Sequence, residues 1–118
     1  MTPLFDPDRF RALATMSADD EHRLLHLYLD NQARLLATLR GGLATDALDF
    51  EALRRAAHRL KSGARSVGAD PLVDTCIRIE QACTAESTAS AREAIDLAVD
   101  QASGVDGEIR RHLDDTGA

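Results

Sequence analysis

Aromatic residues are scarce in this sequence of 118 residues: they make up 3% of it, with three phenylalanines, one tyrosine and no tryptophan. β-Sandwiches and β-barrels depend on aromatic and β-branched residues along their strands, so this composition disfavours them. Hydrophobic residues still reach 44%, which suits helices that pack through leucine and alanine. A chain of this length can bury one core, and we expect residues 1–118 to form a single domain.

Other absences exclude further classes of protein. No apolar run approaches the roughly 20 residues of a membrane-spanning helix, and the N-terminus lacks the basic start and apolar run of a signal peptide. We therefore expect a cytoplasmic protein without direct membrane contact. The net charge of −6 argues against nucleic-acid binding. The two cysteines, Cys76 and Cys83, lie about 10 Å apart along a helix, too far for a mutual disulfide, and we interpret them as reduced core thiols.

The apolar residues recur at intervals of three and four, which is the period of an amphipathic helix. Capping and stop signals predict five helices: Asp6 to about Met16, Ser17 to about Arg40, Asp49 to Gly68, one that starts at Asp70-Pro71, and one that starts at Ser90. Gly41-Gly42 is expected to stop the second helix. Because each apolar stripe needs cover and no strand pattern occurs, we predict an all-α fold. Its architecture is an antiparallel up-and-down four-helix bundle with a short additional N-terminal helix. The terminal segments 1–5 and 114–118 are expected to fray.

The third predicted helix carries an isolated histidine on its polar face. His58 is one residue away from the apolar row, about 100° round the helix, so it points away from the core. Its helical neighbours are four cations and a serine, namely Arg54, Arg55, Lys61, Arg65 and Ser62, and Gly63 follows the serine. Lys61 is the one lysine beside thirteen arginines, and an ammonium on a flexible stem suits a phosphoryl oxygen. A glycine inside a helix costs about 1 kcal/mol relative to alanine, but small residues here leave the ring open to a partner.

The stretch A57-H58-R59-L60-K61-S62-G63-A64-R65-S66-V67-G68-A69 resembles the phosphoacceptor motif of histidine phosphotransfer (HPt) domains, A-H-x-L-K-G-x-x-x-x-[apolar]-G-A. His58, Leu60, Lys61, Gly68 and Ala69 match. Ser62 departs from the motif, because the family usually has glycine there. The preceding stretch R-L-L-H-L-Y-L-D-N-Q-A-R-L-L-A-T-L-R also resembles the helix before the motif, so that the resemblance covers about half of the chain.

The resemblance implies a phosphorelay carrier. We do not expect an enzyme, because no ATP-binding signature, nucleophile triad or paired-carboxylate motif occurs. His58 would exchange a phosphoryl group with the aspartate of a response-regulator receiver domain, and Lys61 would stabilise the phosphoryl charge. A hybrid sensor histidine kinase is a further expected partner. The chain needs no cofactor of its own, because the receiver brings Mg²⁺. Arg54, Arg55, Ser62, Gly63 and Arg65 are the expected partner-binding residues, as their charge complements an acidic surface. We expect a monomer.

The sequence also raises three alternatives. Gln32 is the polar member of an apolar row in the second helix, and it either lies at the rim of the core or reaches His58 as support. The departure at Ser62 leaves a second function open, a non-phosphorylated helical interaction module that docks a receiver or another signalling protein. His22 and His26 have a spacing that could hold a metal ion. A bundle metal site, however, is built from paired Glu-x-x-His motifs, and because none is present we expect no metal.

Overall fold

The computed structural model describes residues 3–13 and 16–117, which form five α-helices. They are α1 (Pro7–Ala12), α2 (Ala18–Leu43), α3 (Phe50–Ser66), α4 (Asp70–Thr84) and α5 (Thr88–Asp115). Each long helix packs against the next one along the chain, and α2 also packs against α5, which closes a four-helix bundle. The predicted all-α architecture with a short additional N-terminal helix is confirmed. Within the described ranges, no helix is long and apolar enough to cross a membrane.

The core is a single cluster of apolar side chains contributed by every helix. Its largest fully buried members include Leu25, Leu39, Leu53, Leu60, Leu72, Ile79, Ile95 and Ile109. Full burial of one such side chain contributes about 1.5–3 kcal/mol to folding. Cys76 and Cys83 lie in this core as free thiols, as predicted. Burial raises the pKa of Cys76 to about 12, so its thiol stays protonated at neutral pH.

Helix α2 does not stop at Gly41-Gly42, and that prediction is wrong. The helix continues to Leu43 and ends with Ala44 as its C-cap. Gly42 has a packing role instead, because a Cβ at this position would lie 2.5 Å from Cδ2 of Leu53 in α3. The absent side chain lets the two helices approach each other near the start of α3.

Two other helix ends differ from the prediction. Helix α5 begins after Ser87 and not after Ser90, because the Oγ of Ser87 accepts a hydrogen bond from the N–H of Ser90 at 3.4 Å. Both serines can cap, and the more N-terminal one does so here. Helix α1 ends before the predicted Met16, and residues 14 and 15 of its predicted range lie outside the described residues.

The segment from residue 3 to residue 12, here called the N-terminal arm, is fastened to the bundle. The backbone N–H groups of Leu4 and Phe5 donate hydrogen bonds of 2.8–3.1 Å to the carboxylate of Glu108 in α5. The N–H of Asp6 donates to the carbonyl of Val67, just after α3, at 2.8 Å. Phe5 is buried. Because of these contacts, the expectation that residues 3–5 fray is wrong. The contacts join residues far apart in the chain and could not be inferred from local sequence.

The turn between α3 and α4 lies under this arm and depends on Gly68. Its φ of +69° is in the left-handed region, and a Cβ there would lie 2.6 Å from Cβ of Asp6. Asp70 was predicted to cap α4, but it is the first helical residue and Ala69 is the N-cap. The carboxylate of Asp70 instead accepts two hydrogen bonds from Arg9, at 3.0 and 2.9 Å.

Gly68→Ala should lower the free energy of unfolding by about 1–3 kcal/mol, the strain of a non-glycine residue in the left-handed region. The matched control is Gly41→Ala, where a Cβ meets no atom within 4 Å. That change should raise stability by up to about 1 kcal/mol. Urea denaturation of both variants measures the two effects. Equal stability of Gly68→Ala and the wild type would contradict the role assigned to this turn.

Candidate functional site

His58 lies near the middle of α3, and 58% of its side chain is exposed. The residues on either side of it in the apolar row, Ala57 and Leu60, are buried. The same helical period that buries them turns the imidazole outward, toward the neighbouring helix α4. The predicted exposure of this ring is therefore confirmed.

A glutamate from α4 completes the site, and sequence reasoning missed it. Nδ1 of His58 lies 3.3 Å from Oε2 of Glu80, and Nζ of Lys61 lies 2.7 Å from Oε1 of the same carboxylate. The side chains of Lys61 and Glu80 are only 14% and 19% exposed. Glu80 therefore bridges the histidine and the lysine from the opposite helix.

The contact with Glu80 determines which ring nitrogen of His58 keeps its lone pair. Burial raises the pKa of Glu80, but Lys61 and His58 more than offset it and bring this pKa below its ordinary value. The carboxylate is thus ionised at neutral pH and can only accept hydrogen bonds. In a neutral imidazole that contacts it, the proton must be on Nδ1, which leaves the lone pair on Nε2. Nε2 is then the nucleophilic atom.

The arginines predicted to surround His58 differ in their contacts and exposure. Arg54 is engaged within its own helix, because its guanidinium contacts the carboxylate of Glu51 at 3.0 and 2.7 Å. Its hydrogen bond to this carboxylate lowers the pKa of Glu51. Arg55 and Arg65 are exposed. The positive surface around the ring therefore rests more on these two arginines than on Arg54.

The two small residues of the motif face different ways. Ser62 is exposed beside the histidine, and its hydroxyl donates to the carbonyl of His58 at 3.3 Å. Gly63 faces α2, where a Cβ would lie 3.1 Å from Cε1 of Tyr28. Glycine at this position thus allows the Tyr28 ring to pack on α3, a contact between helices of the bundle.

Gln32 does not support His58, and that alternative is wrong. Its side chain is buried with 3% of its surface exposed. Its Oε1 accepts a 2.6 Å hydrogen bond from the hydroxyl of Tyr28, and its Nε2 donates to the carbonyl of Ala102 at 3.2 Å. The amide therefore satisfies polar groups between α2 and α5. The tyrosine was the missing partner, one helical turn before it.

His22 and His26, whose spacing could hold a metal ion, lie on α2. Nε2 of His22 contacts the hydroxyl of Thr116 at 2.9 Å. Among residues 3–13 and 16–117, no three histidine, cysteine or acidic side chains are placed to hold a metal ion.

The chain is similar to known proteins of one family. The family model described as Hpt domain matches residues 23–116. Histidine-containing phosphotransfer protein 1 of Oryza sativa subsp. japonica is 27% identical in an alignment over 94 residues, and the match covers 76% of this chain and 64% of that protein. The chain thus spans less than two thirds of the length of that relative. A crystal structure of a histidine-containing phosphotransfer protein from maize has the same fold, with a TM-score of 0.82. It shares 20% sequence identity over 92% of this chain and 81% of the maize chain.

Proposed function

The chain belongs to the Hpt domain family of phosphorelay carriers, and we propose that His58 is the residue on which it carries the phosphoryl group. The observation that supports this most directly is the contact between Nδ1 of His58 and the ionised carboxylate of Glu80. It leaves a lone pair on Nε2 of an exposed ring. A phosphoryl carrier needs such an accessible nitrogen nucleophile.

The proposed transfer needs no group beyond the ring and an acyl phosphate. The lone pair of Nε2 attacks the phosphorus of a partner's aspartyl phosphate, so that an N–P bond forms and the bond from phosphorus to the aspartyl oxygen breaks. The aspartate leaves as a carboxylate with the bonding electron pair. The proton stays on Nδ1, and Glu80 stabilises the resulting phosphoimidazolium. In the reverse step the N–P electron pair returns to Nε2.

The partner in this proposal is a receiver domain, supplied in some relays by a hybrid sensor histidine kinase. The receiver would bring the Mg²⁺ that neutralises charge on its own aspartyl phosphate, and Lys61, Arg54, Arg55 and Arg65 lie on the histidine side of the contact. Because the phosphoryl group arrives from a partner, the proposed carrier needs no nucleotide of its own. We also propose that it acts in the cytoplasm. Ser62 lies at this contact, whereas Gly63 contributes by letting α2 pack behind it.

Incubation with a phosphorylated receiver tests the proposal. The protein should acquire phosphate that is labile in acid and stable in alkali, and mass spectrometry should locate it on His58. A protein that binds the receiver but acquires no phosphate would instead be a non-phosphorylated interaction module.

The exposed arginines give a prediction about rates. Arg55→Glu together with Arg65→Glu should slow association with an acidic receiver by about tenfold or more at low salt, because charges at the rim of an interface act mainly on encounter. Stopped-flow mixing at several salt concentrations measures this, and the wild-type rate should fall as salt screens the attraction. The control is the same double charge reversal at Arg110 and Arg111, which are exposed on α5. Equal association rates for the Arg55/Arg65 variant and the wild type would refute electrostatic steering.

A further inference from the structure

The amino group of Lys61 is already engaged in the unphosphorylated protein. It lies 2.7 Å from Oε1 of Glu80, in a pair that joins α3 to α4 and is mostly shielded from solvent. Such a pair is screened less than one on the open surface. The other oxygen of the same carboxylate contacts Nδ1 of His58 at 3.3 Å. Lys61 is thus connected to the imidazole through Glu80.

From this arrangement we propose that Lys61 is a positioning residue: it acts on phosphoryl transfer through Glu80 and does not contact the phosphoryl group. The inference rests on the proposed role of His58. It differs from the expectation that Lys61 stabilises the phosphoryl charge directly.

The two roles compete for one ammonium group. A phosphoryl group on Nε2 is bonded to the ring nitrogen that does not contact Glu80. To reach its oxygens, Lys61 would have to leave Glu80 and abandon a carboxylate that is only 19% exposed. A shielded carboxylate without a cationic partner is unfavourable. The existing pair of Lys61 and Glu80 therefore opposes direct contact between Lys61 and the phosphoryl group.

Loss of Lys61 should act on the ring through the carboxylate of Glu80. Without the ammonium, Oε1 of Glu80 loses its charged partner, and a shielded carboxylate without one is unfavourable. The carboxylate then turns toward water and holds the Nδ1–H of His58 less well, so that a larger share of neutral rings carries the proton on Nε2, where it blocks attack. The charged and titratable groups around Glu80 come from α3 and α4: His58, Lys61, Arg54, Cys76 and Cys83. The thiols are buried and their pKa values are raised, so Lys61 and His58 are the groups that keep Glu80 ionised.

The first test reads the ring without any phosphoryl transfer. ¹⁵N NMR of imidazole-labelled protein, at a pH where the ring of His58 is neutral, gives the ratio of its two tautomers. The wild type and Lys61→Arg should hold the proton on Nδ1, whereas Lys61→Met should shift the ratio by about tenfold toward the Nε2–H form, the effect of one pKa unit at a coupled group. Arg59→Met, which removes an exposed cation from the same helix, should leave the ratio unchanged. An unchanged ratio in Lys61→Met would overturn the proposal.

The second test is a double-mutant cycle on the rate of transfer from a phosphorylated receiver. Lys61→Met should slow transfer by about tenfold in the wild type but by less than about twofold when Glu80 is already glutamine, because residues that act through one another are not additive. The same loss in both backgrounds would show that Lys61 contacts the phosphoryl group, and the proposal would be wrong. Failure of the wild type to acquire phosphate would overturn the proposed function, while the tautomer ratio would still decide whether Lys61 acts on the ring through Glu80.

Discussion

His58→Gln is expected to abolish phosphoryl uptake from a phosphorylated receiver, while helix content and melting temperature stay nearly those of the wild type. Glutamine has no nitrogen lone pair that can attack phosphorus, so the loss should be complete. The ring is more than half exposed, and a surface substitution usually changes stability by no more than about 0.5 kcal/mol. Labelled phosphate on the protein and circular dichroism during heating measure the two effects.

His26→Gln is the matched control, because His26 is an exposed histidine on the neighbouring helix α2. It should take up phosphate at the wild-type rate. Label that remains on His58→Gln would assign the phosphoryl group to another residue. A large fall in melting temperature would mean that the contact with Glu80 holds α3 and α4 together more strongly than its exposure indicates.

Ser62→Leu should slow transfer by about a hundredfold, the scale of a 1 Å misplacement of reacting groups, without loss of stability. Ser62 is one helical turn after His58 and exposed. Side chains on a helix lean toward its N-terminus, so a leucine here would lie over the turn that carries the ring. Leucine is also the better helix former by a few tenths of a kcal/mol. Access and folding should therefore change in opposite directions.

Two matched variants separate access from helix propensity. Ser62→Gly should keep transfer near the wild-type rate at a helix cost of under about 1 kcal/mol. Ser103→Leu introduces the same residue at an exposed serine of α5 and should leave transfer unchanged. If Ser62→Leu transferred as fast as the wild type, the receiver would have to approach His58 from another side.

The fold was predictable from the sequence because helical periodicity is local and strong. Helix ends were less so, since the same residue types serve two purposes. Gly42 looked like a stop signal but makes room for Leu53. Ser87 and Ser90 could each cap α5, and nothing in the local pattern chose between them.

The site was predictable only as far as one helix reaches. His58 and Lys61 are three residues apart on α3, so their neighbourhood followed from helical geometry. Glu80 is 22 residues from His58, and their contact depends on the register of two packed helices. A signal did exist: Glu80 directly follows the buried Ile79 as His58 directly follows the buried Ala57. Each therefore sits at the edge of an apolar row, where facing helices bring polar side chains together.

The attachment of the N-terminal arm also bears on the order in which the protein folds. Its acceptors, Val67 and Glu108, belong to the end of α3 and to α5, so the arm has nothing to bind until those helices have come together. The hydrogen bond from Leu4 to Glu108 also spans 104 residues of chain, and contacts of such separation form late. The arm should be the last part to dock and the first to release. Amide hydrogens of Leu4, Phe5 and Asp6 should then exchange with deuterium well before those in the middle of α3, through openings that leave the bundle folded.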